Sequence, residues 1–141
     1  MPLQTTTSVN SIPLIPLWTR LIAVLGALLS LAGGIISLLN PAMLTRPHDA
    51  INNAVHVYAG YTAARDLAVA ALLLWLLAIS ARRALGQLMF LVALIQLIDT
   101  AIDCAEARWP VAPGVLILGI LFLFAANKLI GPFWKREAWT T

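Results

Sequence analysis

The sequence predicts an all-α integral membrane protein, an antiparallel bundle of four transmembrane helices with both termini in the cytoplasm. Three observations point there. Apolar residues make up 61% of the 141-residue chain and charged residues only 11%, against about 45–50% and about 25% in soluble domains. Four apolar runs, at about 21–39, 55–80, 85–104 and 111–130, approach or exceed the roughly 20 residues a spanning helix needs. Basic residues cluster at the ends of those runs rather than on a patch, so the net charge of +3 is read as topology and not as nucleic-acid binding.

The first 16 residues are rich in Thr, Ser and Asn, with Pro2, Pro13 and Pro16, and are expected to form a flexible tail. They show no basic region before an apolar core and no small-residue cleavage site, so they do not read as a cleaved secretory signal. Trp18 and Arg20 mark an interface, and the membrane domain is placed at 17–132. The first span has no charge, and Gly26, Ser30, Gly33, Gly34 and Ser37 recur along it at helical spacing; such a small-residue stripe lets a neighbouring helix approach closely.

Asn40 and Pro41 stop that helix, and Pro47 can open the next one. A helix running from Pro47 to Ser80 would be about 50 Å long, more than a hydrocarbon core of about 30 Å. Residues 48–53 are therefore expected at or above the headgroups. Arg82 and Arg83 form a short connection to the third span, and Trp109 lies in a proline-containing turn before the fourth. Lys128 can snorkel near the end of that span, and Trp134 and Trp139 anchor a cytoplasmic tail, 133–141, at headgroup level.

Orientation follows from the cations. Arg20, Arg82, Arg83, Lys128, Lys135 and Arg136 fall on one side of four spans, and Arg46 and Arg108 on the other. The positive-inside rule places the richer side, with both termini, in the cytoplasm. A bacterial inner membrane and an endoplasmic reticulum membrane fit equally.

The second span holds Arg65 and Asp66 in an otherwise apolar segment. A charge at a helix centre costs about 2.5–3.5 kcal/mol on insertion scales, which makes the pair a functional candidate. Counting from the outer end at 1.5 Å per residue, Tyr61 lies about 9 Å deep, Arg65 about 15 Å and Asp99 of the third span about 8 Å. Tyr58, Tyr61 and Arg65 share one face of the second helix, with His56 on the opposite side. Gln96, Asp99, Asp103 and Glu106 share one face of the third. Turned together, these faces make an outward-opening pocket with Arg65 at its floor. Asp99, Arg65 and Tyr61 are the candidate catalytic residues, and Tyr58, Asp66, Gln96, Asp103 and Glu106 candidate ligand-binding ones.

Each has a plainer role open to it. Arg65 with Asp66 or Asp99 can be an ion pair that fixes assembly; Asp103 and Glu106 can be solvated helix-end residues, and the tyrosines interfacial aromatics. Cys104 is the only cysteine and reads as a small buried residue. No disulfide, no metal site and no cofactor motif is expected. Two carboxylates of differing acidity in a low-dielectric pocket would supply an acid and a base, suited to a small hydrophobic ligand.

At VYAGYTAARDLAVAALLL and ALGQLMFLVALIQLIDTAID the chain resembles small four-helix membrane proteins of the DoxX-like kind, of unknown function, in bacteria and fungi. The resemblance covers most of the chain after Trp18 and implies the four-helix fold and the importance of Gly60, Arg65, Asp66 and Asp99. Members often have a histidine near the start of the fourth helix, where this chain has Pro113 and Gly114. Three functions fit these features. One is a binding protein or enzyme for a small hydrophobic molecule, such as an isomerase, cyclase or cofactor-independent oxygenase. The others are an accessory subunit of a larger membrane complex, and a proton-linked transport component, which would require a homo-oligomer. The expected partners are membrane lipid, the ligand, and a second copy or another membrane protein.

Overall fold

The structure, a computed structural model, describes residues 14–45 and 50–140. Among them there are four long helices and no strand: α1 (Leu17–Leu39), α2 (Asn53–Ala78), α3 (Arg82–Ala105) and α4 (Ala112–Ile130). All four are long and apolar enough to cross a membrane. Short 3₁₀ turns follow α1 (Pro41–Leu44) and α4 (Arg136–Ala138).

Packing separates a membrane bundle from a greasy soluble one. Much of the interior is built from small residues: Ala23, Ala27, Ala59, Ala63, Ala70, Ala93, Ala125 and Ala126 are at most 3% exposed, while Leu21, Leu28, Trp75, Ile98, Ile117 and Phe124 stand outside. Water would drive the large side chains inward. Lipid supplies no such force, so close backbone approach governs association and small residues take the interface. The chain is an integral membrane protein.

Two pairings dominate. α1 packs along α2, and α3 along α4, whereas α2 meets α3 and α1 meets α4 far less extensively. Glycines set the closeness: a methyl at Gly34 would lie 3.1 Å from Leu67 Cγ, and one at Gly86 would lie 2.8 Å from Leu129 Cβ. One half of the bundle is sealed by Leu73, Leu85, Met89 and Phe122, all 0% exposed.

The helix ends shift several expected boundaries. α1 begins at Leu17 and takes in Trp18 and Arg20. Ile15, placed in the flexible tail from sequence, is 5% exposed in the core, and its carbonyl accepts a bond from Arg20 Nε at 3.1 Å; residues 1–13 of that tail lie outside the described residues. Helix α2 starts at Asn53 because the Asn52 side chain caps it, accepting from Val55 N at 3.1 Å. Ala50 and Ile51 are not helical; Arg46, Pro47 and His48 lie outside the described residues. Arg82 and Arg83 are the first turn of α3 rather than a loop. The chain turns sooner, at Ser80.

Helices α2 and α3 end alike. After α2, Ala81 N bonds Leu76 O and Ser80 N bonds Leu77 O; after α3, Arg108 N bonds Asp103 O and Ala107 N bonds Cys104 O. These are Schellman closures, which place one residue in left-handed backbone, usually glycine. Here that residue is Ser80 (φ 54°) or Ala107 (φ 55°). Ala107→Gly is expected to stabilise the protein by about 1 kcal/mol, seen as a raised thermal midpoint in detergent; an unchanged or lowered midpoint would contradict this account of the turn.

Beyond α4 the chain folds back on the start of α3. Gln87 Nε2 donates to Ala138 O at 3.2 Å, and Arg83 donates to Glu137 O. Trp139 meets Phe90 edge-on at 5.4 Å between ring centroids, and Phe133 lies 5.0 Å from Phe90. The segment read from sequence as a tail is thus held to the bundle at Phe133 and at Glu137, Ala138 and Trp139, while Trp134, Lys135 and Arg136 are exposed.

Candidate functional site

The inward face of α2 runs through Ala59, Ala63, Asp66, Ala70 and Leu73, three of them alanines, at alternating spacings of four and three. Asp66 occupies a position where its neighbours bury alanine. Gly33 makes that tolerable: it leaves room on α1, where an added methyl would be 3.2 Å from Asp66 Oδ2. Arg65 lies one position off this face and reaches back with its long side chain.

Its guanidinium joins two carboxylates. Arg65 Nε donates to Asp66 Oδ1 at 3.1 Å, while Nη1 and Nη2 reach Asp99 Oδ1 and Oδ2 at 3.4 and 3.3 Å. The second contact has the two-pronged geometry that arginine makes with a carboxylate and lysine cannot. Asp99 is on the inward seam of α3 with Val92 and Gln96. One cation and two anions leave one formal negative charge, which a proton or a ligand's donor group can neutralise.

The triad forms one wall of a cavity of about 350 Å³. All four helices contribute: Ser30, Gly33 and Ser37 from α1, Thr62 and Val69 from α2, Val92, Ile95 and Gln96 from α3, and Val115 from α4. The Ser37 hydroxyl is satisfied within the wall, its Oγ donating to Gly33 O at 2.8 Å. Leu29, Gln96, Val111 and Val115 also line an apolar groove of about 470 Å³ running past Gly114, Leu118 and Leu121 between α1 and α4. Met43 and Val111 also line a surface hollow of about 730 Å³ with Thr45, Glu106 and Arg108.

Of the residues singled out from sequence, Arg65, Asp66, Gln96 and Asp99 line the cavity. Tyr58 and Tyr61 do not. They are 72% and 70% exposed on the outside of α2, because the face defined from Arg65 is not the inward one; a rigid ring cannot bend back as the arginine does. Asp103 is buried at 6% and pairs with Arg108 Nη1 at 3.1 Å, so it holds the end of α3 and is not a solvated terminus. Glu106 lines the surface hollow instead. The wall residues Ser30, Gly33, Ser37 and Thr62 were not among the candidates, although all but Thr62 belong to the small-residue stripe visible in the first span. Among the described residues no group of His, Cys, Asp and Glu is arranged to hold a metal ion.

No protein-family model, curated protein or solved structure matches this chain.

Proposed function

We propose that this membrane protein binds a small amphipathic molecule, its polar end at Arg65, Asp66 and Asp99 and its apolar body in the groove beside α4. One observation carries the reading: an arginine holds two carboxylates on the wall of a cavity that continues into an apolar groove between helices. A ligand partitioned into lipid would enter along that groove. Asp99 is the group that exchanges a proton or hydrogen bond with the ligand, and Arg65 and Asp66 orient it. The reaction class this serves is proton transfer at carbon or oxygen, as in an isomerisation, a cyclisation or a cofactor-independent oxygenation.

The reading includes an antiparallel bundle with cytoplasmic termini, in a bacterial inner membrane or an endoplasmic reticulum, and a kinship with DoxX-like proteins. In support of the antiparallel order, Gly86 lies against Leu129 and Ile130, while Gly119, earlier on α4, lies against Gln96, later on α3. The fully buried Leu73, Leu85, Met89 and Phe122 block a polar path across the bilayer and weigh against transport. An accessory-subunit role has one observation in its favour: Tyr58 and Tyr61 are exposed together on the outside of α2, where a partner helix could cover them.

The test is extraction and mass spectrometry of what co-purifies with the gently solubilised protein, comparing wild type, Asp99→Asn and Gly114→Leu. Gly114 lines the groove, and a methyl there would meet no described residue within 4 Å, which makes it the position from which a larger side chain is placed in the groove. A defined molecule reduced at least about tenfold in both variants is expected, the loss of about 1.4 kcal/mol of affinity. Bulk lipid alone in all three, with a membrane protein retained throughout, would favour the accessory role.

A further inference from the structure

The first turn of α3 and the last turn of α4 bring three cations to one place. Arg82 Nη2 donates to the main-chain oxygen of Lys128 at 3.2 Å, and Arg82, Arg83 and Lys128 line a surface cavity of about 460 Å³ floored by Leu129, Ile130 and Gly131. Among the described residues no acidic side chain lines it. A second Arg82 nitrogen, Nε, is buried without a hydrogen-bond partner among the described residues. Helix α3 starts here with Ala81 at its N-cap and no side-chain cap, so its positive end adds to the same field. Snorkelling alone would spread such cations outward from the helix ends; it gives no reason for them to converge on a hollow.

We propose that this cavity binds a phosphate monoester or diester, the headgroup phosphate of an anionic lipid or a soluble phosphate. The cations stand where the apolar spans end, at headgroup level, and basic pockets between transmembrane helices recognise anionic headgroups by this charge. Arg83 and Lys128 supply the exposed charge. Arg82, tied to α4 by its bond to Lys128 O, gives the pocket a fixed wall. The site lies apart from the Arg65 cavity and does not depend on its function.

Delipidated full-length protein in neutral detergent is titrated with phosphatidylglycerol, phosphatidylcholine and inorganic phosphate, following the thermal midpoint. The variant is Arg83→Gln with Lys128→Gln, which spares the Arg82 bond. Stabilisation by phosphatidylglycerol and not phosphatidylcholine, with apparent affinity about thirtyfold weaker in the double variant, is expected from roughly fivefold per basic residue near the surface. Stabilisation by inorganic phosphate as strong as by phosphatidylglycerol, again weakened in the variant, would retain the phosphate site and make its ligand soluble. Equal response to both lipids without a phosphate effect, or a double variant that binds as wild type, would overturn the proposal.

Discussion

Arg65→Gln is expected to destabilise the protein by about 3 kcal/mol, and Asp66→Asn by less than about 1 kcal/mol, although the two residues share one ion-pair cluster. Removing one partner of a buried pair leaves an uncompensated charge and costs about 3–5 kcal/mol; the Arg65 side chain is 41% exposed, which favours the lower end. Its loss leaves Asp66 and Asp99 without a cation between lipid-facing helices. Loss of either carboxylate instead leaves a neutral pair, and asparagine still accepts a hydrogen bond. The double variant Arg65→Gln with Asp99→Asn should therefore regain part of what Arg65→Gln alone loses. Unfolding midpoints in detergent for the four proteins decide it: equal effects of Arg65→Gln and Asp66→Asn would show that the cluster's charge balance is not what matters.

Gly26→Ala is the second large effect, a loss of about 3 kcal/mol from a single methyl. That methyl would lie 2.1 Å from Phe122 Cζ and 2.5 Å from Cε2, and Phe122 is 0% exposed, with nowhere to retreat. Overpacking of this kind costs about 1–3 kcal/mol, and the upper end applies because ring and backbone are both fixed. Combining it with Phe122→Leu should recover stability, though Phe122→Leu alone loses some. Gly60 provides the contrast: nothing lies within 4 Å of its added methyl, and Gly60→Ala should gain about 0.5–1 kcal/mol by relieving glycine's entropy cost. If Gly26→Ala and Gly60→Ala had the same sign, close packing of α1 on α4 would be disproved.

How much of this was legible in the residues depends on the length scale of the signal. Four spans are written over about 20 residues each, and no local choice can hide them. Boundaries were less legible, because Arg82 and Arg83 serve a helix start as well as a loop, and because Ser80 rather than glycine makes the turn. Inward faces divided. On α3 the polar residues Gln96 and Asp99 lie on the seam that also buries Met89 and Val92, so polarity and packing point the same way. On α2 they disagree: the inner face follows the alanines, whereas polarity centres on a flexible arginine one position away and brings Tyr58 and Tyr61 along with it. Ser30 and Ser37 were visible as small residues, but whether a small residue admits a neighbouring helix or leaves a hollow depends on what stands opposite. At Gly34 it is Leu67; at Gly33 it is a carboxylate.

The uneven pairing of helices has a mechanical consequence. With α1 held to α2 and α3 held to α4, the molecule is two stiff leaves joined along a weak seam, and the charged cavity lies in that seam. Its width therefore responds to forces acting on the leaves as units. Lateral pressure in the surrounding bilayer, which varies with lipid shape and acyl-chain order, acts directly across it. The ligand proposed for the cavity would then be bound on terms that protein and membrane set together.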